Sequence, residues 1–413
     1  MPNSPFKWLL PGMNIKRWVF SVLLGIIVVG LGATFVTKDD WFVKAIGILW
    51  IACGTLFTVY GVGKLIVSLL ALFLPKGERD LVSILYQKRF LERGPKIVTI
   101  GGGTGISHLI FGLKEYTANI TAIVTVADSG GSSGRLREEF NIVAPGDIRN
   151  CLVALADAPE IMGKLFQYRF SKDSQLQGHN FGNLFLTAMV QLKDGDFEKA
   201  VKETSKVLAI RGKVVPSTIE NVHLVADYED GTRTQGEAKI PNPDSPVKRV
   251  YLTPDSASPT QDALDAIAEA DVIILGPGSL FTSVIPNLCI KGMSEAIAKA
   301  QGFKIYICNV MTQHGETDGF TASRHLQAII NHSNKGIVGA CLVNNVEPPA
   351  HALGRYRDEK SFPVKADIEL IRQMGYRVVA TDLLGITDYV RHDSKKLLKA
   401  LISLIESNRI IKR

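Results

Sequence analysis

The stretches 96–105 (KIVTIGGGTG) and 120–135 (ITAIVTVADSGGSSGR) decide the fold. In each, a short run of β-branched and apolar residues passes directly into a turn rich in glycine. Continuous apolar runs of this kind are typical of strands buried on both faces of a parallel sheet. The same pattern returns at 271–275 (DVIIL), 304–308 (KIYIC) and 337–343 (IVGACLV).

Helix-length segments separate these predicted strands, at 107–115, 183–192, 197–209, 261–270 and 322–332. The alternation predicts an α/β domain with a Rossmann-like, mostly parallel sheet and helices on both faces. At 221–240 two runs flank an Asp230-Gly231 turn, which instead predicts an antiparallel hairpin. Together with 247–253 this hairpin forms a small insertion, which we place at about 212–253.

Charge and cysteine content exclude several classes of protein. The chain has 413 residues, five cysteines and a net charge of +7, and no cysteine pair has the C-x-x-C spacing of a zinc ribbon. Residues 1–75 and 394–413 hold the basic excess, with balances of +4 and +5, which leaves 76–393 at −2. A nucleic-acid-binding domain normally carries its own positive surface, so we expect no nucleic-acid partner.

The basic N-terminal part contains two uncharged runs, 18–37 and 45–63. About twenty residues of helix span the hydrocarbon core of a bilayer, so 1–75 is predicted to be a transmembrane hairpin with spans at about 18–37 and 45–66. Lysines and arginines precede the first run and follow the second, which places both termini and the main domain in the cytoplasm. A cleaved signal peptide is one alternative, but the sequence has no suitable cleavage site after the first run. A pair of buried core helices is the other, but neither run has the polar stripe expected of a helix in a soluble domain.

Three further segments follow the hairpin. Residues 76–94 form a predicted connector, 95–393 a cytosolic ligand-binding domain, and 394–413 a basic C-terminal helix or tail. That helix has an apolar face, which lies on anionic lipid in one interpretation and belongs to a solvated terminal helix in the other. The residues of this face are Leu397, Leu398, Leu401, Ile402 and Ile405.

Glycine-rich turns follow three of the predicted strands, at the edge where parallel sheets bind ligands. Glycines let the backbone approach a ligand closely, and the free N–H groups of the next helix face an anion. Three such turns predict a nucleotide or phosphorylated ligand. The candidate phosphate-binding residues are Gly101, Gly102, Gly103, Thr104, Gly105, Asp128, Gly130, Gly131, Ser132, Ser133, Arg135, Arg149, Gly276, Gly278 and Ser279.

Polar residues in nearby loops are candidates for contacts with a sugar or a base. Asn180 could equally be a helix cap, and Asp147 is interpreted as a structural residue near the N-cap of a helix. Arg137 could neutralise a phosphate or form a surface ion pair with Glu138 or Glu139. No serine or cysteine partner of His179 is identifiable, so no catalytic triad is proposed. The sugar or base candidates are His179, Asn180, Asn183, Asn309, Thr312, Gln313, Thr317 and Asp318.

Two known nucleotide-binding motifs are incomplete. Ile106 stands where the dinucleotide fingerprint has its last glycine, and no Gly-Lys-Ser/Thr of a P-loop follows any turn. Asp128 follows the first turn at roughly the 20-residue distance of a ribose-binding acid, so an NAD-binding protein remains an alternative.

Taken together, the longer blocks resemble the gluconeogenesis factor family (YvcK-like) within the CofD-like superfamily, named for 2-phospho-L-lactate transferase. The resemblance runs over about residues 95–395. The blocks that carry it are GGGTG at 101–105, TAIVTVADSGGSSGRLR at 121–137, PGDIRN at 145–150, LFQYRF at 165–170, GHNFGNLFL at 178–186, KVLAIRGKVVPST at 206–218, ADVIILGPGSLFTSVIPNL at 270–288 and ICNVMTQHGETDGFTASRHL at 307–326.

The resemblance implies a protein that binds UDP-sugars such as UDP-N-acetylglucosamine. Family members affect cell shape, wall precursor supply and growth on gluconeogenic carbon sources, with no catalytic activity firmly attached. We therefore expect a regulatory protein of the inner membrane that needs no cofactor, forms a homo-oligomer and has a wall-synthesis protein as partner. The alternative is a magnesium-dependent phosphotransferase like the superfamily's namesake.

The same resemblance assigns roles to residues. It places the diphosphate on 102–105, with Gly278 and Ser279 as a second cradle. Asp128, Asn180 and Asn183 would face the ribose or sugar, and 309–313 would line the far wall. Relatives commonly have a second aspartate where Ser129 stands, so magnesium is doubtful and no metal ligand is assigned.

Overall fold

The computed structural model describes residues 16–70, 89–157, 160–171, 174–242, 244–386 and 389–411. The chain forms two compact units, Met1–Leu85 and Tyr86–Arg413. Most of the predicted connector, residues 76–88, lies outside the described residues.

Within residues 16–70, the part of the first unit that the structure describes, two antiparallel helices form, α1 (Lys16–Val36) and α2 (Trp41–Leu70). They coincide with the two predicted spans, except that α1 ends one residue earlier than predicted. Both are long and apolar enough to cross a membrane, with mean hydropathies of 2.6 and 1.9. Large apolar side chains such as Phe20, Ile27 and Leu56 are exposed on their outer faces.

Glycines at seven-residue spacing form the seam between α1 and α2. A Cβ added at Gly54 would lie 2.8 Å from the carbonyl oxygen of Gly25, so the two backbones are in direct contact there. Small residues allow this close approach of helices in apolar surroundings, where van der Waals contact replaces the hydrophobic effect. The seam glycines are Gly25, Gly32, Gly47, Gly54 and Gly61.

The second unit is built on a seven-stranded parallel sheet with the order β10-β9-β8-β7-β1-β2-β3. Its central strands are buried apolar runs, as the sequence indicates. The strands are β1 (Ile97–Gly101), β2 (Ile120–Val124), β3 (Lys213–Pro216), β4 (His223–Tyr228), β5 (Arg233–Gln235), β6 (Val247–Thr253), β7 (Val272–Leu275), β8 (Phe303–Ile307), β9 (Ala340–Asn344), β10 (Arg377–Thr381), β11 (Leu384–Ile386) and β12 (Val390–His392).

The predicted insertion is a three-stranded antiparallel sheet with the order β5-β4-β6. The hydroxyl of Tyr228 donates to the carbonyl of Ile240 at 2.7 Å and closes the insertion on itself. The strand β3 pairs with β2 in the main sheet, so the insertion begins after β3 and not at 212.

Helices cover both faces of the main sheet, which confirms the predicted fold class. The glycine- and charge-rich segment that forms α4 (Gly131–Phe140) lacks apolar periodicity and was not predicted as a helix. By contrast, α5 (Gly146–Leu155) begins in the turn 145–150, where the sequence predicts the start of a helix. The helices of this unit are α3 (Gly103–Leu113), α4 (Gly131–Phe140), α5 (Gly146–Leu155), α6 (Glu160–Gln167), α7 (Phe181–Leu192), α8 (Phe197–Val207), α9 (Gln261–Glu269), α10 (Ile285–Leu288), α11 (Met293–Lys299), α12 (Ala322–Asn331), α13 (Gly354–Asp358), α14 (Ile368–Gln373) and α15 (Ser394–Ile411).

The C-terminal helix α15 packs against α3. Leu397, Leu401 and Ile405 are at most 2% exposed, and a Cβ at Gly112 of α3 would lie 3.7 Å from the carbonyl oxygen of Ser394. The apolar face of α15 is therefore buried against α3 within the core. It is not available for contact with lipid, which was one of the two expectations for this helix.

The glycine seam predicts the effect of enlarging Gly54. Gly54→Leu should push α2 away from α1, because the new side chain meets backbone atoms of α1. In a protein carrying Ser21→Cys and Gly61→Cys, Gly54→Leu should lower the yield of the interhelical disulfide severalfold, measured by gel mobility. Gly30→Leu is the control, since a Cβ at Gly30 meets nothing within 4 Å and should leave the yield unchanged.

Candidate functional site

The glycine-rich turns meet at the point where the strand order of the sheet reverses. From β1 the chain adds β2 and β3 on one side, and β7 returns to the other side of β1 before β8 and β9 follow. Such a reversal opens a crevice at the carboxyl ends of the two central strands. The turns after β8, β7, β1 and β2 therefore lie on four neighbouring strands at one edge of the sheet.

A cavity of about 590 Å³ occupies this crevice. Gly101 is the last residue of β1 and Gly276 directly follows β7, and neither lines the cavity. The predicted site residues that line the cavity are Gly102, Gly103, Thr104, Gly105, Gly278, Ser279, Asn309, Thr312 and Gln313.

The turns that line the cavity contact each other directly. A Cβ at Gly105 would lie 2.5 Å from the carbonyl oxygen of Pro277, so only glycine allows this approach of the β1 and β7 turns. The side-chain amide of Gln313 donates to Ser279 Oγ at 2.8 Å and joins the β8 turn to the β7 turn. Gln313 Oε1 is buried and has no partner among the described residues, which leaves an acceptor for a ligand.

The far wall of the cavity comes from a C-terminal segment that was not predicted. Tyr356 holds it in place, because its hydroxyl donates to the carbonyl of Val390 at 3.0 Å and accepts from the amide of Val390 at 2.9 Å. Arg391 lies 4.9 Å above the ring of Tyr389, and both line the cavity. Short strands and isolated aromatic residues give no motif that would have identified this wall.

A second group of predicted residues lies beyond β2 and does not line this cavity. Ser132 is at its centre. Its Oγ accepts from the backbone N–H of Asn180 and from the side-chain amide of Asn183, each at 3.2 Å. Its own hydrogen is left to donate to His179 Nδ1 at 3.2 Å. Ser132 is thus the serine partner of His179 that could not be identified from the sequence. Burial, followed by the charge of Arg135, lowers the pKa of His179.

Other members of this second group hold loops in place. Asn180 is the N-cap of α7, since its side chain accepts from the backbone N–H of Asn183. Asp128 Oδ1 accepts from the amide of Gly130 at 2.8 Å, which turns this carboxylate towards its own loop. Ser129 Oγ accepts from the amide of Ala238 at 3.1 Å and fastens the insertion to the β2 turn.

The arginines of this region have separate roles. Arg135 donates to the carbonyl of Gln177 at 2.9 Å and is exposed, whereas Arg149 is buried beside Asp147. Arg137 is also buried and donates to Asn221 and to backbone carbonyls, including that of Val222, so the surface ion pair that was one of its two expected roles does not form.

Thr317 and Asp318 shape the β8 turn and do not line the cavity. Thr317 Oγ1 accepts from the backbone N–H of Gln313 at 2.9 Å, and Asp318 accepts from the backbone N–H of Gly315 at 2.6 Å. Their expected contacts with a sugar are therefore not available through this cavity, because both side chains are engaged by their own loop.

Three carboxyl groups near the turns have raised pKa values. Asp147, which sequence reasoning took for a cap of its own helix, instead accepts from the backbone N–H of Gly103. Burial, followed by the charge of Asp128, raises its pKa to about 6. Burial also raises the pKa of Glu237 and of Glu316 to about 7. Within the described residues, no group of three or more His, Cys, Asp or Glu side chains is arranged to hold a metal ion.

Comparison with known proteins places this geometry in a family. Residues 97–384 match the family model described as 2-phospho-L-lactate transferase CofD. The chain belongs to the CofD family.

Relatives and solved structures agree with this assignment. The chain is 45% identical to a putative gluconeogenesis factor of Nostoc sp., over 97% of this chain and 92% of that one. It is 47% identical to the gluconeogenesis factor of Bacillus subtilis, over 76% of this chain and 98% of that one. A crystal structure of a UPF0052 family protein from Bacillus halodurans has a TM-score of 0.73 and 45% identity, covering 75% of this chain and 99% of that one.

Glu316 should make the stability of this CofD-family protein depend on pH. Its folded pKa of about 7 exceeds the ordinary value of 4.5, so its contribution is complete below pH 4.5 and is lost as the pH rises through 7. Glu316→Gln removes this loss and should raise the free energy of unfolding at pH 8 by about 1–3 kcal/mol.

Urea unfolding followed by circular dichroism at pH 5 and pH 8 measures this effect. The exposed Glu138→Gln serves as the matched control and should change neither value. An equal effect of Glu316→Gln at both pH values would contradict the assignment of the raised pKa to Glu316.

Proposed function

We propose that this CofD-family protein is a membrane-anchored regulatory protein that binds a nucleotide diphosphate sugar, with UDP-N-acetylglucosamine as the first ligand to test. The observation that carries the proposal is the convergence of two glycine turns and the N-terminus of α3 on one cavity. Backbone N–H groups at a helix N-terminus, backed by the helix dipole, bind phosphate groups without a charged side chain.

The size and lining of the cavity support a ligand of this class. Its volume of about 590 Å³ lies within the range of small-molecule sites, roughly 300–1,000 Å³. Arg391 supplies a cation for a diphosphate, and Tyr389 an aromatic face for a base or sugar ring. Asn309 and Gln313 offer donors and acceptors to hydroxyl groups.

Regulation by ligand binding is favoured over turnover by what the cavity lacks. Among the described lining residues, no serine, threonine or cysteine side chain is hydrogen-bonded to a histidine. A ligand that binds one conformation better than another shifts the protein towards that conformation. We infer that this state is read by a protein partner in wall synthesis, and that the protein acts as a homo-oligomer.

Membrane anchoring through α1 and α2 is the second part of the proposal. Both helices are long enough to span a bilayer, and their exposed surfaces are apolar. The glycine seam pairs the helices with each other and leaves the apolar faces for lipid. Anchoring places the ligand-binding domain, which we assign to 95–393, at the cytoplasmic face of the inner membrane, where lipid-linked wall precursors would be made.

A transferase of phosphorus-containing groups is the second candidate, and the name of the matching family model favours it. The purified full-length protein should then form product steadily from a nucleotide-activated phosphate donor, and the reaction should require magnesium. The regulatory proposal expects no steady product formation from UDP-N-acetylglucosamine, with or without magnesium.

Arg391 tests the assignment of the cavity. Arg391→Ala should weaken the binding of UDP-N-acetylglucosamine about tenfold or more, because the diphosphate loses a charge-assisted hydrogen bond. Isothermal titration calorimetry on the full-length protein in detergent measures the change.

Arg372→Ala is the matched control and should bind as the unmodified protein does. Arg372 is exposed, forms an ion pair with Glu369 and does not line the cavity. Unchanged affinity in Arg391→Ala, or tighter binding of NAD than of UDP-N-acetylglucosamine, would contradict the proposal.

A further inference from the structure

The Asp147 carboxylate lies against the β1 turn, although Asp147 itself does not line the cavity. The backbone N–H of Gly103, the first residue of α3, donates to the side chain of Asp147. The fit is close, because a Cβ at Gly102 would lie 2.6 Å from Asp147 Oδ2. A phosphate bound by the remaining amides of the β1 turn therefore lies beside the Asp147 carboxylate.

The surroundings of Asp147 do not neutralise its charge fully. Asp128 and Glu237 of the insertion both interact with Asp147 as like charges. Arg149 is the cation that faces it, and Asn150 donates a hydrogen bond. Among the described residues, the buried thiol of Cys151 is a further titratable neighbour, and its pKa is raised by burial and by Asp147. Above pH 7 the cradle thus presents a negative charge next to its own N–H groups.

Such a charge distinguishes two kinds of phosphate group. In a nucleotide diphosphate sugar, each phosphorus has one ester bond and one anhydride bond and carries one negative charge. A free nucleoside diphosphate ends in a phosphate with no ester bond, which carries nearly two charges above its second pKa of about 6. One more charge within several ångströms of a carboxylate in a partly buried site costs a factor of roughly ten or more in affinity.

Resting on the proposed function, we propose that Asp147 is a specificity-determining residue that selects the diphosphate diester of a nucleotide sugar against the unesterified terminal phosphate of the free nucleotide. The selection works by repulsion of the wrong ligand, not by an added contact with the right one. The protein then binds the nucleotide sugar even in the presence of the free nucleoside diphosphate, which lacks the sugar.

The test compares UDP-N-acetylglucosamine with UDP on the full-length protein in detergent, by calorimetry at pH 8 with a chelator present. In Asp147→Asn the ratio of the two dissociation constants, UDP over UDP-N-acetylglucosamine, should fall about tenfold relative to the unmodified protein. The amide keeps an oxygen acceptor for the N–H of Gly103, so the loop is retained while the charge is removed. Asp265→Asn, an exposed change at the opposite edge of the sheet, should leave the ratio unchanged.

A second measurement needs no variant. Because the diphosphate of UDP-N-acetylglucosamine does not titrate near neutral pH, proton uptake on binding belongs to the protein. At pH 6.5, calorimetry in two buffers of different ionisation enthalpy should show net uptake by the unmodified protein and a clear reduction in Asp147→Asn.

An unchanged affinity ratio in Asp147→Asn, or proton uptake that this substitution does not reduce, overturns the charge selection while leaving the proposed function intact. Failure of the unmodified protein to bind UDP-N-acetylglucosamine at all contradicts the proposed function, and the selection falls with it.

Discussion

Parallel pairing of β1 with β7 is the constraint on which the candidate site depends. Residues 97–100 pair with 272–275, although about 175 residues separate them in the chain. This pairing brings the turn 101–105 beside the turn 276–279, and neither turn alone could surround a ligand. The reversal of strand order at this place opens the crevice, and the glycines keep it open because side chains there would fill it or clash with the facing backbone.

Much of this arrangement could be predicted from the sequence, because strands buried on both faces have to be continuous apolar runs. The buried runs and the glycines after them gave the central strands and the residues that line the near side of the cavity. The two apolar helices were equally evident, since twenty uncharged residues leave few alternatives. The hairpin at Asp230-Gly231 followed from the backbone preferences of one dipeptide.

The remainder depended on contacts between distant segments, which leave no local signal. Asp147 looked like the cap of its own helix, and only the folded chain shows it accepting from the N–H of Gly103. His179 and Ser132 are 47 residues apart, so their hydrogen bond could not be inferred from spacing. The wall with Tyr356 and Arg391 comes from a one-turn helix and short strands near the C-terminus, whose pattern resembles that of ordinary loops.

The central claim is that a diphosphate lies across the β1 and β7 turns, at the N-terminus of α3. A structure of the full-length protein with UDP-N-acetylglucosamine tests it most directly. The account predicts phosphate oxygens within hydrogen-bond distance of the backbone N–H groups of 104–105 and 278–279, with Arg391 turned towards the diphosphate. Density for the nucleotide away from these turns, for example in the loops around Ser132 and His179 alone, would contradict it.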